Sequence, residues 1–179
     1  MKKNIWKILG AIVVVLVIVV FILLQTRSTV TIQHVFNAPV ERVWTMWNDP
    51  ESIKKWWGPT GYSCAVAQND LKIGGRYFLG MQAPDGKISY NIGIYTEIDP
   101  MKKIVSKLSF ADESGTPVPA SHYGLPGNWA DEATVMVEFT AMDGKTQVQI
   151  TESEIPMIMK LFAGMGWGQQ FEKMDALLK

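Results

Sequence analysis

Few residues of this sequence have the chemistry to act on a substrate, and their spacing closes several routes at once. The 179-residue chain has two histidines, His34 and His122, and one cysteine, Cys64. They lie far apart, so no zinc site, other metal or cofactor is expected. A single cysteine allows no internal disulfide, and Cys64 reads as a small buried hydrophobe. The chain contains no P-loop, dinucleotide fingerprint or nucleophile elbow. His122, in a long loop beside Asp131 and Glu132, is the one acid–base candidate, set against the plainer reading of a solvated loop histidine. His34 sits on the more apolar face of a strand and reads as a satisfied core or edge histidine. Arg76 follows Gly74-Gly75 and shares strand parity with Phe78, so it is read as aimed into a cavity, where one polar group orients an apolar ligand. A surface arginine or an ion pair is the ordinary alternative. Trp56 and Trp57 read first as core and turn packing, and Trp57 second as a ligand platform.

The end of the chain shows what must hold such residues in place. In residues 166–179, Trp167, Phe171, Met174 and Leu178 recur at i, i+4, i+7 and i+11, one apolar stripe of a helix. Gln169, Glu172, Lys173 and Asp175 lie mostly off it. Such a helix is marginal alone and needs a partner for its stripe. The preceding chain supplies mostly strands. Residues 29–36 alternate as the first. Asn37-Ala38-Pro39 starts a helix with Val40, Val43, Trp44 and Trp47 on one face. Asp49-Pro50 starts a second over residues 51–56, ended by Trp57-Gly58-Pro59. Strands follow at 62–69, 76–82, 87–98, 103–110, 132–141 and 145–154, separated by glycine- and proline-bearing turns. Residues 111–131 show no periodicity and form a loop of a length that is often functional. Hairpin connections imply an antiparallel sheet. Met157, Met159, Phe162 and Met165 lie among glycines before the final helix; this stretch reads as sheet-edge packing, a lid or a membrane contact.

The formal net charge of zero hides an asymmetry. Lys2, Lys3, Lys7 and Arg27 flank one apolar run, and no acid precedes Glu41. Removing these four from the 17 basic residues leaves 13 against 17 acids, so the part after residue 27 is about −4. That excludes the basic footprint of a nucleic-acid binder. Residues 5–24 are almost unbroken apolar sequence, the length of one membrane span. No small-residue cleavage site follows, so the run reads as an uncleaved anchor, not a signal peptide. The lysines before it place the N-terminus in the cytoplasm and the domain outside. The expected organisation is an anchor and short polar linker over 1–28 and one domain over 29–179.

Five pieces of this sequence carry a resemblance. They are Phe36-Asn37-Ala38-Pro39-Val40-Glu41-Arg42-Val43-Trp44, Trp56-Trp57-Gly58-Pro59, Gly74-Gly75-Arg76-Tyr77, Gly93-Ile94-Tyr95-Thr96-Glu97-Ile98-Asp99-Pro100 and Gly166-Trp167. In order and spacing the chain resembles the SRPBCC superfamily, which includes START lipid-binding domains and the birch-pollen allergen. Within it the chain is most similar to the family named for the C-terminal domain of the activator of the heat-shock-protein-90 ATPase. The resemblance implies an α+β helix-grip fold, an antiparallel curved sheet around a long C-terminal helix, here preceded by one transmembrane helix. It also implies a cavity between sheet and helix, whose assigned walls are Trp57, Phe78, Tyr90, Ile92, Val137, Trp167 and Phe171 with Arg76 as the polar group. The expected function is binding of a small hydrophobic or lipid-like molecule without catalysis. A cyclase or hydrolase acting on an aromatic, polyketide-like substrate and a chaperone-cofactor or protein-interaction module are the alternatives. A domain outside the membrane could not meet a cytosolic chaperone, which disfavours the last.

Overall fold

The computed structural model describes residues 2–179, the side chains of residues 2–5 and 161 excepted. The side chains of Lys2 and Lys3, on which the expected orientation leans, thus lie outside the described residues. The chain begins with helix α1, Lys2–Gln25. Its segment Trp6–Gln25 has mean hydropathy 3.3 and none of it is buried against protein. The helix is long and apolar enough to cross a bilayer. The expected polar linker is replaced by a direct junction: only Thr26 separates α1 from strand β1, Arg27–Phe36.

Two short helices follow, α2 at Val40–Asn48 and α3 at Pro50–Trp56. Asp49 caps α3, its carboxylate accepting from the Ser52 N–H at 2.8 Å, and Pro50 occupies the first turn, where its missing N–H costs nothing. Six strands then run as a meander: β2 Ser63–Asn69, β3 Arg76–Gln82, β4 Ile88–Asp99, β5 Lys103–Ala111, β6 Ala133–Met142 and β7 Lys145–Pro156. Strand β1 returns to pair with β7, giving a seven-stranded, wholly antiparallel sheet in the order β1-β7-β6-β5-β4-β3-β2. Breaks in register in β1, β2 and β4 let it bend, because a bulge adds twist locally.

The final helix α4, Lys160–Leu178, lies against β1 and α3. Its stripe Trp167, Phe171, Met174 and Leu178 is buried, as its spacing requires. Phe171 is 1% exposed and meets Phe36 edge-on at 5.6 Å. The helix begins six residues earlier than the sequence suggests. Phe162 and Met165, expected before the helix, are helical. The long loop also holds structure: a turn at 112–116 and a 3₁₀ turn at Ala120–Tyr123.

Candidate functional site

Between the sheet, the two short helices and α4 lies a cavity of about 70 Å³. Its apolar wall is aromatic: Trp47 from α2, Trp56 and Trp57 at the end of α3, Tyr77, Tyr95 and Trp167. Trp47 stacks on Trp167 at 5.7 Å and 10°, and Trp57 meets Trp167 edge-on at 5.7 Å. Leu79, Ile104, Leu108, Val135 and Val137 complete it from the strands.

Polar groups converge on the same space. Glu152 of β7 pairs in register with Val30 on one side and Val135 on the other, which aims its side chain inward. The Trp167 indole N–H donates to its carboxyl at 3.2 Å. Burial pushes that carboxyl above the usual range, the indole hydrogen bond opposing the shift. Across the cavity, the Tyr77 hydroxyl and Ser106 Oγ hydrogen-bond at 3.0 Å. Burial pushes the Tyr77 phenol up to about 12, so it is neutral. Tyr95 shifts upward for the same reason and donates to Asn69 Oδ1 at 2.7 Å. The Trp57 indole nitrogen is buried and has no hydrogen-bond partner among the described residues. A buried N–H left unpaired is expensive, of the order of 1–3 kcal/mol.

The positioning is local. Tyr77 reaches Ser106 on β5 only by crossing β4 at Gly93, its register partner. A Cβ at Gly93 would lie 2.0 Å from the ring's Cζ. The turn after Trp57 is clamped to α4. Gln170 Oε1 accepts from the Gly58 N–H at 2.9 Å, and Gln169 Oε1 from the Thr60 N–H at 2.9 Å. The Lys173 ammonium donates to the carbonyls of Gly58, Pro59 and Tyr62 at 2.7, 3.2 and 3.2 Å. Gln169 and Lys173 are among the residues placed off the apolar stripe. They fix the loop that carries Trp57.

Of the residues singled out in the sequence, Trp57, Val137 and Trp167 line this cavity. Phe171 lies deeper, between His34 and Phe36. Arg76, Phe78, Tyr90 and Ile92 do not join them. They project from the other face of the sheet, because Tyr77 and Leu79 take the inward positions of β3. Phe78 stacks on Tyr90 at 5.3 Å and 6°, opposite Ile92. The long loop covers part of this face: Tyr123 Oη accepts from the Tyr90 N–H at 3.1 Å, and Gly115 approaches Phe78 and Ile92. Both faces of β3 and β4 are therefore apolar, and alternation alone does not say which is inside. Arg76 is exposed and lines a separate polar groove there, with Asp70, Lys72 and Glu113.

His122 is exposed and lines neither hollow. His34 is satisfied: Nε2 lies 2.9 Å from Asp175 Oδ2 and the ring stacks on Phe171. The Cys64 thiol bonds the Val66 carbonyl at 3.1 Å, and burial pushes it up. Among the described residues no cluster of His, Cys, Asp or Glu has the arrangement of a metal site.

Glu152, Tyr77 and Ser106 are the site residues that sequence reasoning missed. Their signal was parity. Glu152 continues Val148 and Ile150, Ser106 lies between Ile104 and Leu108, and Tyr77 alternates with Leu79. A carboxyl in phase with a core face is the departure worth noticing.

Residues 37–179 match the family described as Activator of Hsp90 ATPase homolog 1-like protein. No curated protein matches the chain. Solved structures do. A Mycobacterium smegmatis protein is 29% identical, with 84% of this chain and 90% of that one covered and a TM-score of 0.71. A Chromobacterium violaceum protein is 26% identical over 84% and 96% of the two chains, at 0.69. The AHSA1 protein of Silicibacter pomeroyi, 21% identical over 84% and 97%, shares the fold at 0.65.

Proposed function

The chain belongs to the Activator of Hsp90 ATPase homolog 1-like family, and from that fold and its cavity we propose a membrane-anchored binding domain for a small, largely apolar molecule carrying a polar group. The observation that carries this is one aromatic-walled cavity lined by Glu152, whose carboxyl pKa burial raises, and by Trp57, whose buried indole N–H has no partner among the described residues. Structural cores do not ordinarily leave a buried N–H unpaired. Size refines the ligand class. The cavity, about 70 Å³, has room for several water-sized groups but is about half the ~150 Å³ of an engineered cavity that takes up benzene. It suits a compact planar ligand after slight opening, and a long acyl chain only after large rearrangement.

Titration of the full chain in detergent with small phenols and aromatic carboxylic acids tests this through tryptophan fluorescence. Saturable change is expected, weakened at least tenfold by Trp57→Phe, which keeps an aromatic ring but removes the N–H with the pyrrole half of the indole. Equal response from this variant and the parent would contradict the assignment of Trp57.

The anchor is part of the proposal. Helix α1 holds the chain in a bilayer through residues 5–24, with the N-terminus cytoplasmic and the domain over 29–179 on the far side. A reporter fused after residue 179 is expected to be active only where it functions outside the cytoplasm. That placement removes the domain from any ATP-dependent chaperone. One observation favours a catalytic alternative: a carboxyl whose pKa burial raises, lining an apolar cavity, is placed as a general acid would be. In that case Glu152→Gln abolishes turnover, whereas a pure binding site shows no turnover to lose.

A further inference from the structure

The junction between α1 and the domain is closed by hydrogen bonds, which set the surface that lies beside the end of α1. The Asn128 N–H donates to the Leu24 carbonyl at 2.7 Å and the Met157 N–H to the Thr26 carbonyl at 2.8 Å. Arg27 closes the joint. Its guanidinium donates to the Asn128 carbonyl at 2.8 Å, Asn128 Oδ1 at 3.0 Å, the Trp129 carbonyl at 3.0 Å and Glu154 at 3.3 Å. The end of α1 also packs on the 3₁₀ turn Met157–Met159, which leads directly into α4.

Beside this joint, among the described residues, sit exposed large apolar side chains: Met157, Phe162 and Met165, exposed by 38%, 57% and 49%. Phe162 and Met165 are i and i+3 on one helix face, whereas Trp167 points the other way into the cavity wall. Phe162 follows Met157 by five residues, so helical rise keeps it within about 10 Å of the α1 junction. Interfacial helices sink their apolar faces about 5–10 Å into the headgroup boundary, the same scale. Exposed Lys160 lies in the first turn, suited to reach headgroup phosphates.

We propose that Met157, Phe162 and Met165 form a lipid-seating surface that rests in the headgroup region of the leaflet from which α1 emerges. This goes beyond the binding proposal but rests on α1 being a span. It has a consequence for the cavity: the α4 segment that touches lipid also carries Trp167, so the bilayer contacts the element that walls the site.

The test uses the full chain with Cys64→Ser, reconstituted in phosphatidylcholine–phosphatidylglycerol vesicles. A polarity-sensitive label is attached at Phe162→Cys, at Met157→Cys or, at the distal β6–β7 hairpin, at Asp143→Cys. The labels at 162 and 157 are expected to shift to the blue and to be quenched several-fold more by nitroxide lipid than by aqueous iodide, with the reverse at 143. Iodide quenching at 162 and 157 equal to that at 143 overturns the seat, as does shielding there without lipid quenching, which means a protein contact. Alkaline carbonate extraction separates the two readings. Loss of the chain from the vesicles sinks the anchor and the seat together; a retained chain with water-exposed labels sinks the seat alone.

Discussion

Glu152 stands between Val30 and Val135 on the inner face of the sheet, where a carboxyl has no bulk water to solvate its charge. Its proton is therefore held above the ordinary value of 4.5 in the folded chain and released first in the unfolded one. The sign follows: stability contributed by this group is complete below pH 4.5 and is lost as pH rises through the folded value. Glu152→Gln keeps an acceptor for Trp167 and has no proton to lose. Chemical denaturation from pH 4 to 8 is expected to show a downward slope in the parent that is shallower in the variant; parallel slopes would place Glu152 in solvent. Gly93 is tested at the same scale. Gly93→Ala puts a methyl into the Tyr77 ring and is expected to destabilise by about 1–3 kcal/mol, as overpacking does. Thermal melting reads it, and an unchanged Tm would mean that the ring does not cross β4.

At the scale of elements, α4 has two halves with different duties. Its C-terminal half carries Phe171 and Met174, both essentially buried, and the polar clamp on the Trp57 turn. Desolvation lowers the Lys173 pKa, but its three carbonyl partners keep it engaged. Lys173→Met is expected to destabilise by about 1–3 kcal/mol, since hydrogen bonds to charged groups are the stronger kind. It should also speed hydrogen exchange at the N–H groups of Gly58 and Thr60. Slow exchange there in the variant would mean that the glutamines suffice. The N-terminal half holds Gly164, Gly166 and Gly168, and a Cβ at any of them would meet nothing within 4 Å. No close packing requires glycine, so each weakens the helix. Alanine at each is expected to stabilise by about 0.5–1 kcal/mol. A loss of stability would reveal a contact that these positions need.

This helix also shows how far the sequence could be read. The stripe from Trp167 to Leu178 was legible because burial on one side imposes a 3.6-residue period. Its first two turns were not, because the glycines break propensity while β7 and the α1 junction hold the segment in place. The strands were legible to within a residue or two because turn chemistry punctuates them. Which face of β3 and β4 lined the cavity was not, since Phe78, Tyr90 and Ile92 make an outer face as apolar as an inner one. Polar residues in phase with core positions, Glu152 and Ser106, held that information, and the eye passes over them when it looks for hydrophobes.

For the molecule as a whole, an apolar helix, a curved sheet and a gripping helix follow one another, with only Thr26 between α1 and β1. The central claim is that the cavity is occupied in use. Native mass spectrometry of the full chain, extracted gently from its host membrane, tests it most directly. The account predicts an added small mass, released on denaturation and absent from Leu108→Trp, in which a larger side chain from the cavity wall fills the space. A clean apo mass from both proteins, or the same added mass on both, would contradict it.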